Sequence, residues 1–185
     1  MTVVALMRHA RTAWNVAGRI QGHTDVPILP GASCLLPDSC KGMRVVTSPL
    51  LRCVQTAELL GAPDAEREPR LMEMRWGDWE GETLARLREN PAMRENEDRG
   101  FDFRPPKGES PRDVLSRVSA WLREVANDGR ATLAVTHRGV IRVVFAQAAG
   151  WDMRGPPPDD LDWQAAHFFR LDAEGRPSIE RLNVR

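Results

Sequence analysis

The chain has 185 residues with 26 basic and 26 acidic side chains, so its formal net charge is zero; that length suits one domain with a full core, and that balance argues against a protein devoted to a long polyanion, nucleic acid included, or to an acidic membrane surface. Its three cysteines, Cys34, Cys40 and Cys53, follow no metal-ligand spacing and read as those of a reducing compartment. No apolar run approaches the roughly 20 residues of a membrane span, and the first residues lack the basic flank and long apolar core of a signal peptide, so a cytoplasmic protein is expected.

Residues 2–7 form a continuous apolar run, the mark of a strand buried on both faces, and the run stops on Arg8-His9. Ligands of α/β proteins sit at the carboxyl ends of strands, which makes this pair a candidate site. Thr12 to Asn15 suits a short helix, with Trp14 turned to the core. Residues 19–31 are turn-rich and read as an ordered loop. Arg44 to Thr47 is a second strand. Ser48-Pro49 then predicts a helix start, with Ser48 as N-cap and Pro49 in the first helical position. Leu50, Val54, Ala57 and Leu60 share one helical face, which leaves Arg52 in the first turn, off the core face, as a second cation at a strand end. Residues 71–81 keep neither a helical nor a strand period. They read as a structured loop with Trp76 and Trp79 packed inward and Glu73, Asp78 and Glu80 as its carboxylates.

Short helices are expected over 83–89 and 91–98, and a loop over 101–108. Ser110-Pro111 opens a long amphipathic helix with an acid at its third position, closed near Asn127 by Gly129. Ala131 to Val135 is a third buried strand, ending on Thr136-His137-Arg138-Gly139 ahead of a helix over 140–149. Residues 164–171 and 177–182 form a hairpin around 172–175. Strands alternating with helices predict an α/β fold: a three-layer sandwich with a mostly parallel central sheet, helices on both faces and a C-terminal antiparallel hairpin. One domain is expected over 1–185, with 83–108 as a small helical and loop insert over the pocket.

In a parallel sheet Arg8, His9, Arg52 and His137 share one edge. Two guanidiniums and two imidazoles suit a dianionic phosphoryl group, and amides at the start of the helix after His137 add to it. Phosphoryl transfer needs in-line attack, charge neutralisation and a proton for the leaving oxygen. His9 can attack, the arginines can hold charge, and a carboxylic acid can supply the proton. The histidines His9, His23, His137 and His167 show no H-x-x-x-H spacing, so no metal is expected, and His167, within a strand, reads as structural.

These motifs match a family block by block. Arg8-His9-Ala10-x-Thr12-x-x-Asn15 with Gln21-Gly22-x-x-Asp25-x-Pro27 resembles the N-terminal signature of the histidine phosphatase superfamily, which includes the phosphoglycerate mutases. Ser48-Pro49-x-x-Arg52-x-x-Gln55-Thr56-Ala57, Leu71-x-Glu73 with Gly77-x-Trp79-Glu80-Gly81, Gly108-Glu109-Ser110, and Val135-Thr136-His137-Arg138-Gly139-Val140-Ile141-Arg142 resemble its later blocks, in order. The resemblance implies that His9 is the nucleophile, that Arg8, Arg52 and His137 bind the phosphoryl group, and that Glu73 is the proton donor. It implies no cofactor. Asn15 and the Gln21, Gly22, His23 loop would border the pocket of a small phosphorylated substrate. Asp78 and Glu80 remain rival acids, with Glu80 better suited to a structural role.

The chain departs from the family at several points. Ala10 stands where Gly is usual, and is tolerated where φ need not be positive. Arg11 stands where an acid is common, and Arg138 where Gly is common; both either add charge for a substrate with more than one negative group or point to solvent. Residues 32–41 are too short for the usual amphipathic helix, so a turn or two is expected. The 26 residues from Thr83 to Gly108 are mixed in charge, whereas the mutases carry a longer, basic insert. A phosphatase acting through a phosphohistidine is therefore expected, with a mutase or a non-catalytic phospho-ligand module as alternatives.

Overall fold

The computed structural model describes residues 1–185. In chain order its strands and α-helices are β1 (Thr2–Arg8), α1 (Ala13–Val16), β2 (Arg44–Thr47), α2 (Leu51–Leu59), β3 (Glu66–Arg67), α3 (Leu84–Leu87), α4 (Pro91–Glu97), α5 (Pro111–Asp128), β4 (Thr132–Thr136), α6 (Arg138–Ala149), β5 (Ala166–Leu171) and β6 (Pro177–Val184). The sheet order is β3-β2-β4-β1-β5-β6. β1, β2, β3 and β4 run parallel. β5 lies antiparallel to β1, and β6 antiparallel to β5. This is the expected mostly parallel α/β sheet with a terminal antiparallel hairpin. No helix is long and apolar enough to cross a membrane.

Alternation along β1 divides the core. Successive strand side chains point to opposite faces, so Val4 and Leu6 join one cluster while Ala5 and Met7 join the other. The first face is the thicker. Val114, Val118 and Leu122 of α5 and Ile141, Val144 and Phe145 of α6 pack there against Val4, Leu6, Ala134 and Phe169. The helix α5 forms as its sequence requires. Ser110 and Asp113 exchange side-chain and backbone hydrogen bonds in a capping box, and Gly129 closes the helix in the left-handed region. The second face is thin. α2 supplies Cys53 and Ala57, and a single 3₁₀ turn at Asp38–Cys40 supplies Cys40. Residues 32–41 hold only that turn, as their shortness predicts.

Several boundaries differ from expectation. α6 starts at Arg138, two residues early, because His137 takes the N-cap place with extended backbone. α2 starts at Leu51 with Leu50 as its N-cap, so neither Ser48 as N-cap nor Pro49 as first helical residue holds. β3 has no counterpart in the sequence reading: its two residues are exposed and show no apolar alternation. Trp14 is half-buried, stacked over Gly81 rather than in the core.

Phe145 is fully buried on the helix that carries His137 at its start. Phe145→Ala is expected to cost about 3–5 kcal/mol, read as a lower urea midpoint with an unchanged slope.

Candidate active site

Strand register brings two histidines together. Arg8 lies opposite Thr136 in the parallel β1–β4 pair, and the His9 amide donates to the Thr136 carbonyl at 3.0 Å. Each strand is followed directly by a histidine, and the rings of His9 and His137 lie 5.3 Å apart between centroids. The His9 Nδ1 is 2.7 Å from the Ala10 carbonyl. A carbonyl only accepts, so Nδ1 carries the proton and Nε2 keeps its lone pair. Burial, then the Arg8 and Arg52 charges, push the His9 imidazole well below the ordinary histidine value. Ala10 has no positive φ; its N–H donates to Thr56 Oγ1 at 2.9 Å. Its extra methyl is therefore accommodated, as expected.

Arg52 is fully buried, which corrects its placement off the core face. Because α2 starts at Leu51, Arg52 lies beneath the loop over 21–25. Its guanidinium donates to the Gly22 carbonyl at 2.7 Å and the Thr24 carbonyl at 3.0 Å. The Nε groups of Arg8 and Arg52 are both buried without an acceptor. Burial lowers the pKa of each guanidinium below the usual arginine value, and both stay charged. His137 is also fully buried. Its Nε2 is 2.8 Å from Ser48 Oγ and 3.3 Å from Cys53 Sγ. Ser48, released from capping duty, thus anchors the second imidazole. Burial, then Arg52, His9 and Arg8, keep that ring well below the ordinary value.

The two acids separate cleanly by environment. The Glu73 Oε1 accepts from the Met74 amide at 2.8 Å and the Gly139 amide at 3.1 Å. That approach requires glycine: a Cβ at 139 would stand 2.2 Å from Oε1. Glu80 instead accepts from the amides of His23, Thr24 and Trp76 and from the Thr24 hydroxyl. Burial opposes its ionisation, but those hydrogen bonds together outweigh burial and hold its carboxyl below the usual range. Gly22, at positive φ, is needed beside it, since a Cβ there would lie 2.1 Å from Glu80 Oε1. Glu80 is a structural clamp. Asp78 pairs with Lys107 at an exposed position.

A cavity of about 1430 Å³ opens over Arg8, His9 and Glu73. Asn15, Gln21, Gly22 and Arg138 line it, together with residues from the loop over 29–37 and Leu84, Arg88 and Glu97 from the segment over 83–108. Asn15 also closes a capping box with Thr12, whose hydroxyl donates to Gln21 Oε1 at 2.9 Å. His23 does not line the cavity, contrary to expectation. Its Nε2 donates to the Glu73 carbonyl at 2.7 Å, so it braces the acid from behind. Thr56, Ser48 and Gly139 were not foreseen as site residues. All three lie within the motif blocks read from the sequence, but those blocks gave them no role of their own. Arg142, also unforeseen, lies one turn beyond Arg138 and lines the cavity.

The profile of the histidine phosphatase superfamily (branch 1) matches residues 4–185. A probable phosphoglycerate mutase, GpmB of Proteus mirabilis, is 33% identical over 133 residues, covering 66% of this chain and 62% of that protein. The chain thus spans less than two thirds of that relative's length. An uncharacterized phosphatase, PhoE of Bacillus subtilis, is 28% identical over 164 residues, covering 82% of this chain and 80% of that one. The crystal structure of TTHB049 from Thermus thermophilus superposes with a TM-score of 0.77 at 29% identity, over 100% of this chain and 97% of that one.

Because the folded pKa of Glu80 lies below its unfolded value of about 4.3, its stabilisation is complete above that value and is lost as pH falls through the folded pKa. Glu80→Gln is therefore expected to lower stability at neutral pH and to converge on the parent protein in acid. Urea midpoints measured across pH test this; a gap that persists undiminished in acid contradicts it.

Proposed function

The chain belongs to the histidine phosphatase superfamily (branch 1), and on that basis we propose that it hydrolyses phosphomonoesters of small metabolites through a phosphohistidine at His9. The observation that carries this reading is the pair of buried, acceptor-less Nε donors on Arg8 and Arg52 beside a neutral imidazole. Buried polar groups are rarely left unpaired. Phosphoryl oxygens are acceptors of the right charge, and they supply what both guanidiniums lack.

In this mechanism His9 Nε2 attacks phosphorus and the bond to the ester oxygen breaks. Glu73 passes its proton to the leaving alkoxide. Its carboxylate then takes a proton from the water that attacks the phosphohistidine, and inorganic phosphate leaves. The Gly139 and Met74 amides aim the acid, and His23 braces its backbone. Arg8, Arg52 and the amides at the start of α6 carry the charge that develops on the phosphoryl oxygens. His137, held by Ser48, backs His9. The guanidiniums do the neutralising, so no step calls for a metal. The segment over 83–108 acts as an insert over the pocket of a single domain, and the cysteine pattern suits a cytoplasmic setting.

Release of phosphate from p-nitrophenyl phosphate tests the reading. His9→Ala is expected to abolish turnover and the acid-labile phosphoprotein, and Glu73→Gln to slow turnover by about 10²–10⁴. Turnover equal to the His9→Ala control sinks the hydrolase reading. Because His9 titrates well below the ordinary histidine value, kcat/KM is expected to show no loss from nucleophile protonation as pH falls through about 6.5. Interconversion of the two monophosphoglycerates would point to a mutase instead.

A further inference from the structure

Building on the hydrolase reading, we infer that Arg138 and Arg142 form a subsite for a second anionic group of the substrate, remote from the phosphoryl group that is transferred. Both residues lie on α6, four positions apart and so on one helix face, and both line the cavity that holds His9 and Glu73. Neither makes an ion pair or a side-chain hydrogen bond within the chain. Most other arginines at the cavity are engaged. Arg88 pairs with Glu97 at 2.7 Å, Arg185 with Asp162, and Arg19 donates to the Gly81 carbonyl.

What holds the pair in place is aromatic. The Arg138 guanidinium lies over Trp163 at 4.7 Å from the ring centroid, and that of Arg142 over Trp151 at 5.3 Å. A cation–π contact holds a guanidinium without supplying an oxygen acceptor for its N–H donors. Each side chain is thus held at the cavity wall by a ring, with its N–H donors unpaired within the chain. The two cations also repel each other, and Arg88 repels both. Glu73 attracts both guanidiniums and Glu97 attracts Arg142, but neither carboxylate forms an ion pair with them. Glu73 is spent on the Gly139 and Met74 amides, Glu97 on Arg88, and Asp98, at the rim, lies in no ion pair with either arginine. Two cations held together at the cavity wall without a direct ion-pair partner are arranged for an anion from outside.

The chemistry required is a second carboxylate or phosphate on the part of the substrate that leaves. The size of the cavity permits such a group. At about 1430 Å³ it exceeds the roughly 300–1,000 Å³ usual for small-ligand sites, so a substrate can reach from His9 to the α6 arginines. Arg142 sets this subsite jointly with Arg138, the residue that replaces the family's usual Gly.

Two matched pairs of ligands separate the sources of the second charge. One is 3-phosphoglycerate against glycerol 3-phosphate, which lacks the carboxylate. The other is fructose 1,6-bisphosphate against fructose 6-phosphate, which lacks one phosphate. Affinities are read calorimetrically on the His9→Ala protein, so binding is scored without turnover. At least one doubly anionic ligand is expected to bind about tenfold or more tightly than its partner. That ratio is expected to fall towards one in His9→Ala proteins that also carry Arg138→Met or Arg142→Met. Methionine keeps the apolar contact with tryptophan, and thermal melting confirms the fold. A preference that survives both substitutions overturns the assignment, as does the absence of preference in either pair. Turnover of p-nitrophenyl phosphate by the unsubstituted chain is scored separately: if it persists while the preference test fails, the subsite falls and the hydrolase stands.

Discussion

The parallel pairing of β1 with β4 is the constraint on which the site depends. It sets Arg8 opposite Thr136 and so delivers His9 and His137 to the same edge, with their rings 5.3 Å apart. A one-residue slip in either strand would turn every side chain to the opposite face. Val4 and Leu6 would then leave the cluster formed with α5 and α6. The register that places the histidines is therefore enforced by the whole hydrophobic core. Precision at the site comes from packing far larger than the site itself.

Electrostatics then work against the fold locally. The Arg52 guanidinium and two imidazoles are buried beside a half-buried Arg8, and the pKa of every one of them moves in the direction that disfavours charge. Burying charge without a counter-ion is costly. The chain limits that cost by keeping both imidazoles neutral and by giving Arg52 two backbone carbonyls in place of a carboxylate. The acids are kept for other tasks: Glu80 gathers the loop over 22–24, while Glu73 is held by amides at the start of α6. Charge is left unbalanced at the pocket, and that imbalance favours an anionic visitor.

Much of this was legible in the residues. Continuous apolar runs marked β1 and β4, amphipathic spacing marked α5, and the histidines at two strand ends announced a shared edge. What escaped reading were contacts that depend on where a chain turns in space. Ser48-Pro49 looked like a helix cap, but the helix begins later and Ser48 turns to His137. Arg52 was read as lying off the core face because helical periodicity knows nothing of the loop that closes over it and buries it. His23 looked like a rim residue, yet it braces the backbone of Glu73 from outside the cavity. β3 was invisible because two exposed residues carry no period. The pairing of Arg142 with Trp151 joins a helix to the segment after it, and no local spacing encodes it.

The β1–β4 pairing also has a consequence for how the chain comes into being. Its register joins Val4 to Thr132, partners that emerge from a ribosome far apart in time. At about 5–20 residues per second, β1 waits roughly 6–26 s for the strand that will shield it. During that interval an apolar edge ending in Arg8 and His9 is unpaired on the β4 side, a template for unwanted strand pairing. Contacts of such long range also slow folding. Assembly of the histidine pair is thus a late event in synthesis, and the strand that waits for its partner is the one that leads into His9.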